Sequence, residues 1–280
     1  MVGIPTFLCL LFIWFPTIVS ILLSFTNWGG TKPLTANNIV GLKNYVNLFT
    51  EYPFFWPAVW HNVLWLLVFV GFATPFGIFL AVLLDREMRG TRIYQSAFFI
   101  PVVLSLAVVA FIWEQMYTSQ GFINSVLGRT GQSDVIDWLG DPNINIWAVL
   151  VAASWRHIGY IMVLYLSGLK SVDPTLREAA AIDGANARQT FFRVVFPVMK
   201  PINIVIVVVT VIESLRAFDI AYIINKGKNG LELLSILITN NSISEAQLLG
   251  FGSAIAVVLL VISLVPIVIF LTRTMREGVE

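Results

Sequence analysis

Residues 173–197 read DPTLREAAAIDGANARQTFFRVVFP, and this stretch separates two long apolar runs. Asp173 has a side chain suited to capping a helix N-terminus, and Pro174 suits the first helical position. The alanine-rich run that follows is strongly helix-forming. Gly184 can take the left-handed conformation that ends many helices. The stretch therefore predicts a short helix, a break and a second short helix over 185–193.

The apolar runs on either side belong to a pattern that covers the whole chain. Of the 280 residues, 58% are hydrophobic and 12% are charged, whereas a typical soluble domain is about 25% charged. The apolar residues concentrate in stretches of about 20 residues, the length that crosses a bilayer core as a helix. The expected spans are 5–25, 62–84, 93–117, 145–169, 200–224 and 250–272. We predict an all-α polytopic membrane protein of about six transmembrane helices, with one membrane domain over 1–280.

The distribution of basic residues gives an orientation, because positively charged loops remain in the cytoplasm. Ten lie on the side that carries both termini and the loop 171–193: Arg86, Arg89, Arg92, Lys170, Arg177, Arg188, Arg193, Lys200, Arg273 and Arg276. Five lie on the other side: Lys32, Lys43, Arg129, Lys226 and Lys228. We therefore expect both termini and the loop 171–193 to be cytoplasmic.

The alanines of that loop suggest a docking helix. A helix with Ala179, Ala180 and Ala181 on its surface has a thin profile, and small residues let another structure approach closely. Glu178, Asp183 and Arg188 would add polar anchors. The alternative interpretation is an ordinary amphipathic surface loop.

The complete pattern resembles the EAA loop of binding-protein-dependent ABC importer permeases. That consensus has Glu-Ala-Ala, then an acidic residue with Gly, then Phe and Pro. The matching positions here are Glu178, Ala179, Ala180, Asp183, Gly184, Phe191 or Phe192, and Pro197. Further stretches resemble the sugar-importing branch: 24–28 (SFTNW), 41–45 (GLKNY), 98–101 (FFIP) and 252–256 (GSAIA). Within that branch, the stretch 41–45 resembles the maltose-type first permease, which pairs with a second permease.

This resemblance implies a set of partners and roles. In the family, the loop is a coupling helix that sits in a cleft of a separate cytoplasmic ATPase dimer, which binds ATP and Mg²⁺. A second permease would complete a heterodimer in the lipid of the bacterial inner membrane, and an extracytoplasmic sugar-binding protein would deliver solute. The coupling residues implied are Glu178, Ala179, Ala180, Asp183, Gly184, Ala185 and Arg188.

Charged side chains inside the membrane form the second candidate site. A charge near the centre of a membrane helix costs roughly 2.5–3.5 kcal/mol on insertion scales, so it needs a partner or a wet cavity. Seven candidates for the solute path lie in spans four and five: Trp155, Arg156, His157, Tyr160, Glu213, Arg216 and Asp219. Together they offer hydrogen bonds and an aromatic face to a sugar. The alternative is a structural network of ion pairs between Glu213 and Arg216 or Arg156.

Other classes of function lack their motifs. The sequence contains no Walker Gly-x-x-x-x-Gly-Lys-Ser/Thr, no His-Glu-x-x-His and no Gly-x-Ser-x-Gly, so we expect a transporter subunit that is not an enzyme. The net charge of +1 gives no indication of a nucleic-acid partner, and the single cysteine, Cys9, shares no metal-type spacing with either histidine. A proton-coupled secondary carrier remains the alternative, since such carriers also bury Glu, Arg and His; the identity of the solute stays open.

Overall fold

The computed structural model describes residues 3–85, 90–129, 131, 134–243 and 247–276. Regular structure within these residues is helical, apart from one isolated antiparallel bridge between Thr26 and Ile39. Arg86 and Arg89, which contribute to the predicted orientation, lie outside the described residues, and the side chains of Arg273 and Arg276 are likewise not described.

Four described helices are long and apolar enough to cross a membrane. Two bent pairs qualify as further spans: Thr91–Val103 with Leu106–Val126, and Ala187–Val198 with Lys200–Asn225, which meet at 79°. This confirms the prediction of about six membrane-spanning segments in an all-α protein. We number the spans one to six: Gly3–Leu23, Phe55–Leu84, Thr91–Val103 with Leu106–Tyr117, Asn145–Ser171, Lys200–Leu215 with Asp219–Asn225, and Leu249–Arg276. Shorter helices occupy the connections: Lys43–Thr50, Phe122–Val126, Pro174–Ile182, Ala187–Thr190, Phe196–Val198 and Leu234–Ser242, with a 3₁₀ turn at Ala36–Asn38.

Span three is not the continuous helix expected over 93–117. Its two parts, Thr91–Val103 and Leu106–Val126, meet at 102°. Pro101 lies inside the first part and removes a backbone donor from the helix. Leu104 is extended, and the hydroxyl of Ser105 caps the second part by accepting a hydrogen bond from the N–H of Val108 at 3.3 Å. The cap replaces backbone bonds that the break removes.

Span five is broken as well. The expected helix over 200–224 ends at Leu215 and restarts at Asp219. Arg216, at φ −89° and ψ 7°, and Phe218, at φ −142° and ψ −60°, leave the regular helix. The spacing of three between Glu213, Arg216 and Asp219 therefore does not correspond to one continuous helical face.

Span four lies at the centre of the bundle, and glycines let its neighbours approach it. A Cβ added to Gly77 of span two would lie 2.9 Å from both the Ile158 carbonyl oxygen and the Ile161 Cβ. A Cβ added to Gly159 of span four would collide with the carbonyl oxygen of Phe98 in span three. Close backbone packing of this kind replaces the hydrophobic driving force that lipid does not supply.

Candidate functional site

The loop 171–193, here called the elbow, has the capped helix that its sequence predicts. The backbone N–H of Thr175 donates to Oδ1 of Asp173 at 2.9 Å, and Pro174 occupies the first turn of the helix Pro174–Ile182. This backbone hydrogen bond, together with one from the Thr175 side chain, lowers the pKa of Asp173. The cap is thus an ionised carboxylate at neutral pH, which also suits the positive end of the helix dipole.

The helix ends in a Schellman motif centred on Gly184, which has φ +78°. The N–H of Ala185 donates to the carbonyl of Ala180 at 2.9 Å, and the N–H of Gly184 donates to that of Ala181 at 3.1 Å. A second helix follows, with a capping box in which Asn186 and Gln189 each bond the other's backbone N–H at 2.9 Å. The elbow therefore consists of two short, capped helices joined by a turn at Gly184.

One side of the elbow is open and carries an apolar residue at its tip. Most predicted coupling residues are exposed: Glu178, Ala179, Asp183, Gly184 and Arg188. Ala180 is buried and Ala185 is half-buried, so these two face the permease. Ile182, which we did not single out in the sequence, is 87% exposed at the end of the first helix. An exposed apolar residue beside a strip of alanines is suited to a protein partner.

The base of the elbow packs on the spans. Phe191 and Val195 contact an apolar cluster shared by spans two and four, which includes Leu84 and Leu169. Arg177 adds a polar link, because its Nη1 donates to Oδ2 of Asp85 at 2.7 Å. The sequence places Asp85 after an apolar span, but nothing in it indicates a partner 92 residues away.

The second candidate site is a cavity of about 180 Å³ between spans two, three, four and five. Its lining comprises Trp65, Phe69, Leu106, Ala153, Arg156, His157, Glu213, Arg216, Ala217, Phe218, Asp219, Ile220 and Ala221. The structure thus brings five of the seven predicted path residues together. Trp155 instead packs against Trp113, with ring centroids 5.8 Å apart, and Tyr160 packs on the apolar cluster near the elbow.

The charged groups of this cavity do not neutralise one another. Within the described part of the chain, Arg156, Glu213, Arg216 and Asp219 have no oppositely charged group within 4.0 Å. The Nε of Arg156 is buried without a hydrogen-bond partner. The alternative network of structural ion pairs is therefore not formed in this conformation, and these groups remain available to a polar solute.

A buried polar cluster fixes the imidazole at the cavity wall. Nε2 of His157 lies 3.2 Å from the Thr74 hydroxyl and 3.4 Å from the Thr210 hydroxyl, and the two hydroxyls are 3.0 Å apart. On its face, the ring stacks with Phe69 at 4.2 Å. Phe69 begins a π-helical turn, Phe69–Ala73, that precedes Pro75. Such turns are frequent at functional sites, and this one places both Phe69 and Thr74 against His157.

The break in span five is held from outside the cavity. Its free carbonyls receive side-chain donors: Nδ2 of Asn62 bonds the Leu215 carbonyl at 3.3 Å, and the Ser235 hydroxyl bonds the Ala217 carbonyl. In a membrane, such a break is tolerated where neighbours satisfy its backbone groups. Asn62 and Ser235 carry no charge and belong to no motif, so their role is visible only in the fold.

The sequence is similar to known membrane transport proteins. A family model described as a binding-protein-dependent transport system inner membrane component matches residues 1–277. A probable ABC transporter permease of Pyrococcus horikoshii is 32% identical over 93% of this chain and 89% of its own length. A trehalose/maltose transport system permease of Thermococcus litoralis is 31% identical over 83% of this chain and 78% of its own.

The fold also matches a solved structure, that of a bacterial ABC transporter involved in the import of the acidic polysaccharide alginate. The TM-score is 0.81 at 21% identity, over 97% of this chain and 93% of that one. The family match covers nearly the whole sequence, including the elbow and the residues of spans two to five that line the cavity. The chain therefore belongs to the family of binding-protein-dependent transport system inner membrane components.

Proposed function

We propose that this protein is the pore-forming permease subunit of an ATP-driven importer of a carbohydrate. Transport would proceed by alternating access, with solute passing the cavity between spans two to five. A partner ATPase dimer would bind and hydrolyse ATP with Mg²⁺, since this chain has no Walker motif. A second permease would complete the pathway, and an extracytoplasmic binding protein would deliver solute.

The observation that carries this proposal is the geometry of the elbow. Its helix Pro174–Ile182 is capped at both ends, thin along its alanines and open on one side. A rigid exposed helix that ends in Ile182 is suited to insertion into a cleft of another protein. We assign contact with the ATPase to the exposed Glu178, Ala179, Asp183, Gly184 and Arg188, and to Ile182. Ala180 and Ala185, which are buried and half-buried, would stabilise the elbow and not contact the ATPase.

The chemistry of the cavity supports a hydroxyl-rich solute. Arg156 and Arg216 donate hydrogen bonds, and Glu213 and Asp219 accept them, so hydroxyls would find both kinds of partner. Trp65 and Phe69, which are almost fully buried, add apolar atoms to the cavity wall beside these polar groups. The trehalose/maltose permease among the relatives acts on solutes of this class. Two arginines in the wall would also tolerate an acidic sugar.

The proposal includes an orientation of the chain in the membrane. The excess of basic residues supports an orientation in a bacterial inner membrane in which the elbow and both termini face the cytoplasm. The ATPase would therefore dock from the cytoplasm, and the binding protein from the opposite side.

Reconstitution in proteoliposomes tests the energy source. The permease pair and the ATPase are reconstituted with a solute-loaded binding protein outside, and uptake is followed with ATP and Mg²⁺ trapped inside. We expect uptake that requires internal ATP and stops with an ATPase mutant unable to hydrolyse it. Uptake driven by a proton gradient without ATP would overturn the proposal in favour of a secondary carrier.

A further inference from the structure

One guanidinium group joins the elbow to two membrane spans. Nη1 of Arg177 donates to Oδ2 of Asp85 at 2.7 Å, at the end of span two. Nη2 of the same side chain donates to the carbonyl of Leu169 at 3.2 Å, near the end of span four. Arg177 lies on the first elbow helix, directly before Glu178. A single side chain thus connects the proposed ATPase-binding helix with two of the helices that enclose the cavity.

The environment of the pair makes it stronger than an ordinary surface ion pair. The Asp85 side chain is 15% exposed and that of Arg177 is 38% exposed. A short, charge-assisted hydrogen bond in such partly buried surroundings is screened less than an exposed one. If Arg177 is removed, the largely buried carboxylate of Asp85 loses its counter-ion, which is costly. The pair therefore resists separation when the elbow moves.

The apolar contacts of the elbow are arranged differently. The elbow residues that pack on the shared cluster of spans two and four are Val172, just before the first elbow helix, and Phe191, just after the second, and Val195 follows the elbow. Arg177 links the first elbow helix to span two directly. Span two then runs from Asp85 to Trp65 and Phe69, which line the cavity, and its helix is unbroken apart from the π-helical turn.

We propose that the Arg177–Asp85 pair is a positioning device that transmits displacement of the elbow to span two and so to the cavity wall. This inference rests on the proposed function, because it assumes that a partner ATPase moves the elbow. In this view, the Arg177–Asp85 ion pair is needed to transmit the displacement, because the apolar contacts between the elbow and the spans are not sufficient. Neither residue needs to touch ATPase or solute.

Charge reversal in the reconstituted complex tests the pair. Arg177→Asp and Asp85→Arg each place like charges together, whereas the double variant restores an opposite pair. We measure solute transported per ATP hydrolysed. Each single variant should lower this ratio by at least about fivefold, the lower end of common coupling strengths, with ATP hydrolysis retained. The double variant should recover most of the loss.

A matched control uses the exposed pair Arg129–Asp134, which is 3.6 Å apart and lies in a connection far from the elbow in sequence. Arg129→Asp and Asp134→Arg should leave the ratio unchanged. Asp85→Asn keeps the shape of the side chain and removes its charge, so it provides a second route if the reversed variants do not assemble. It should also lower the ratio.

The outcomes separate the two proposals. If the unaltered complex shows no ATP-driven uptake, the proposed function fails. If the unaltered complex transports, but Asp85→Asn keeps a normal ratio or an assembled double variant stays as uncoupled as the single variants, the transmission role of Arg177–Asp85 is overturned. Loss in the single variants with recovery in the double variant supports it.

Discussion

The backbone N–H of Leu234 donates a hydrogen bond of 3.0 Å to Oδ1 of Asn62, which joins the helix Leu234–Ser242 to span two. The Nδ2 of the same amide bonds the Leu215 carbonyl at the break of span five. Asn62 is 1% exposed. The buried amide of Asn62 therefore positions two elements: the break in span five, where Arg216 lines the cavity, and the helix Leu234–Ser242.

Replacing Asn62 tests this arrangement. Asn62→Ala leaves a buried N–H and a buried carbonyl unpaired, and each such group costs about 1–3 kcal/mol. We expect a lower thermal unfolding midpoint and, because Arg216 shifts, a higher solute concentration for half-maximal uptake. The control is Asn143→Ala, whose amide bonds only within an exposed turn; its stability should change by less than about 0.5 kcal/mol. Equal behaviour of the two variants in both measurements would contradict the role of Asn62.

Substitutions of Gly184 test the turn between the two elbow helices. Its φ of +78° suits glycine, and an added Cβ would meet no atom within 4 Å. Any effect of Gly184→Val must therefore arise from the backbone, where a β-branched residue is strained by about 1–3 kcal/mol. We expect ATP hydrolysis with reduced transport per ATP. Gly184→Asn tolerates this conformation better and should retain more coupling. Full transport by the valine variant would reject a mechanism based on the left-handed turn.

Glu213 tests the solute path. It lines the cavity without an ion pair among the described residues, so its removal breaks no structural salt bridge. Glu213→Ala should impair uptake while the complex still assembles. Glu213→Gln, which retains hydrogen-bonding groups, should be affected less. If Glu213→Ala assembles and transports at the normal rate, Glu213 is not in the path.

The Thr74–His157–Thr210 cluster should act as one unit. Thr74→Val and Thr210→Val each remove a hydroxyl from the same imidazole nitrogen, so their effects on the free energy of unfolding should not add. We expect an interaction energy of about 0.5–3 kcal/mol from the double-mutant cycle. Thr50→Val, at an exposed position of the helix Lys43–Thr50, should combine additively with either variant. Simple additivity of Thr74→Val and Thr210→Val would show that the cluster is not cooperative.

Local signals explain what the sequence predicts well. The elbow follows from capping residues and Gly184, all of which act within one or two helical turns. The membrane spans follow from runs of apolar residues. Both kinds of signal require no knowledge of distant parts of the chain.

Features that depend on tertiary packing could not be predicted in the same way. The helix breaks at Leu104 and Arg216 occur in stretches that read as continuous apolar helices, and side chains from other helices stabilise the second break. Trp155 and Arg156 are neighbours in sequence, yet only Arg156 lines the cavity. The bond between Thr74 and His157 joins positions 83 residues apart, so no spacing rule indicates it.

The most direct test of the central claim is the accessibility of a cysteine at Ile182, the exposed tip of the elbow. The sole natural cysteine, Cys9, is first replaced by serine, and Ile182→Cys is then labelled with a membrane-impermeant maleimide. We predict labelling in inside-out vesicles stripped of the ATPase, protection when the ATPase is added back, and no labelling from the outside of intact cells. Labelling from the outside, or labelling unchanged by the ATPase, would contradict an elbow that couples a cytoplasmic ATPase to transport.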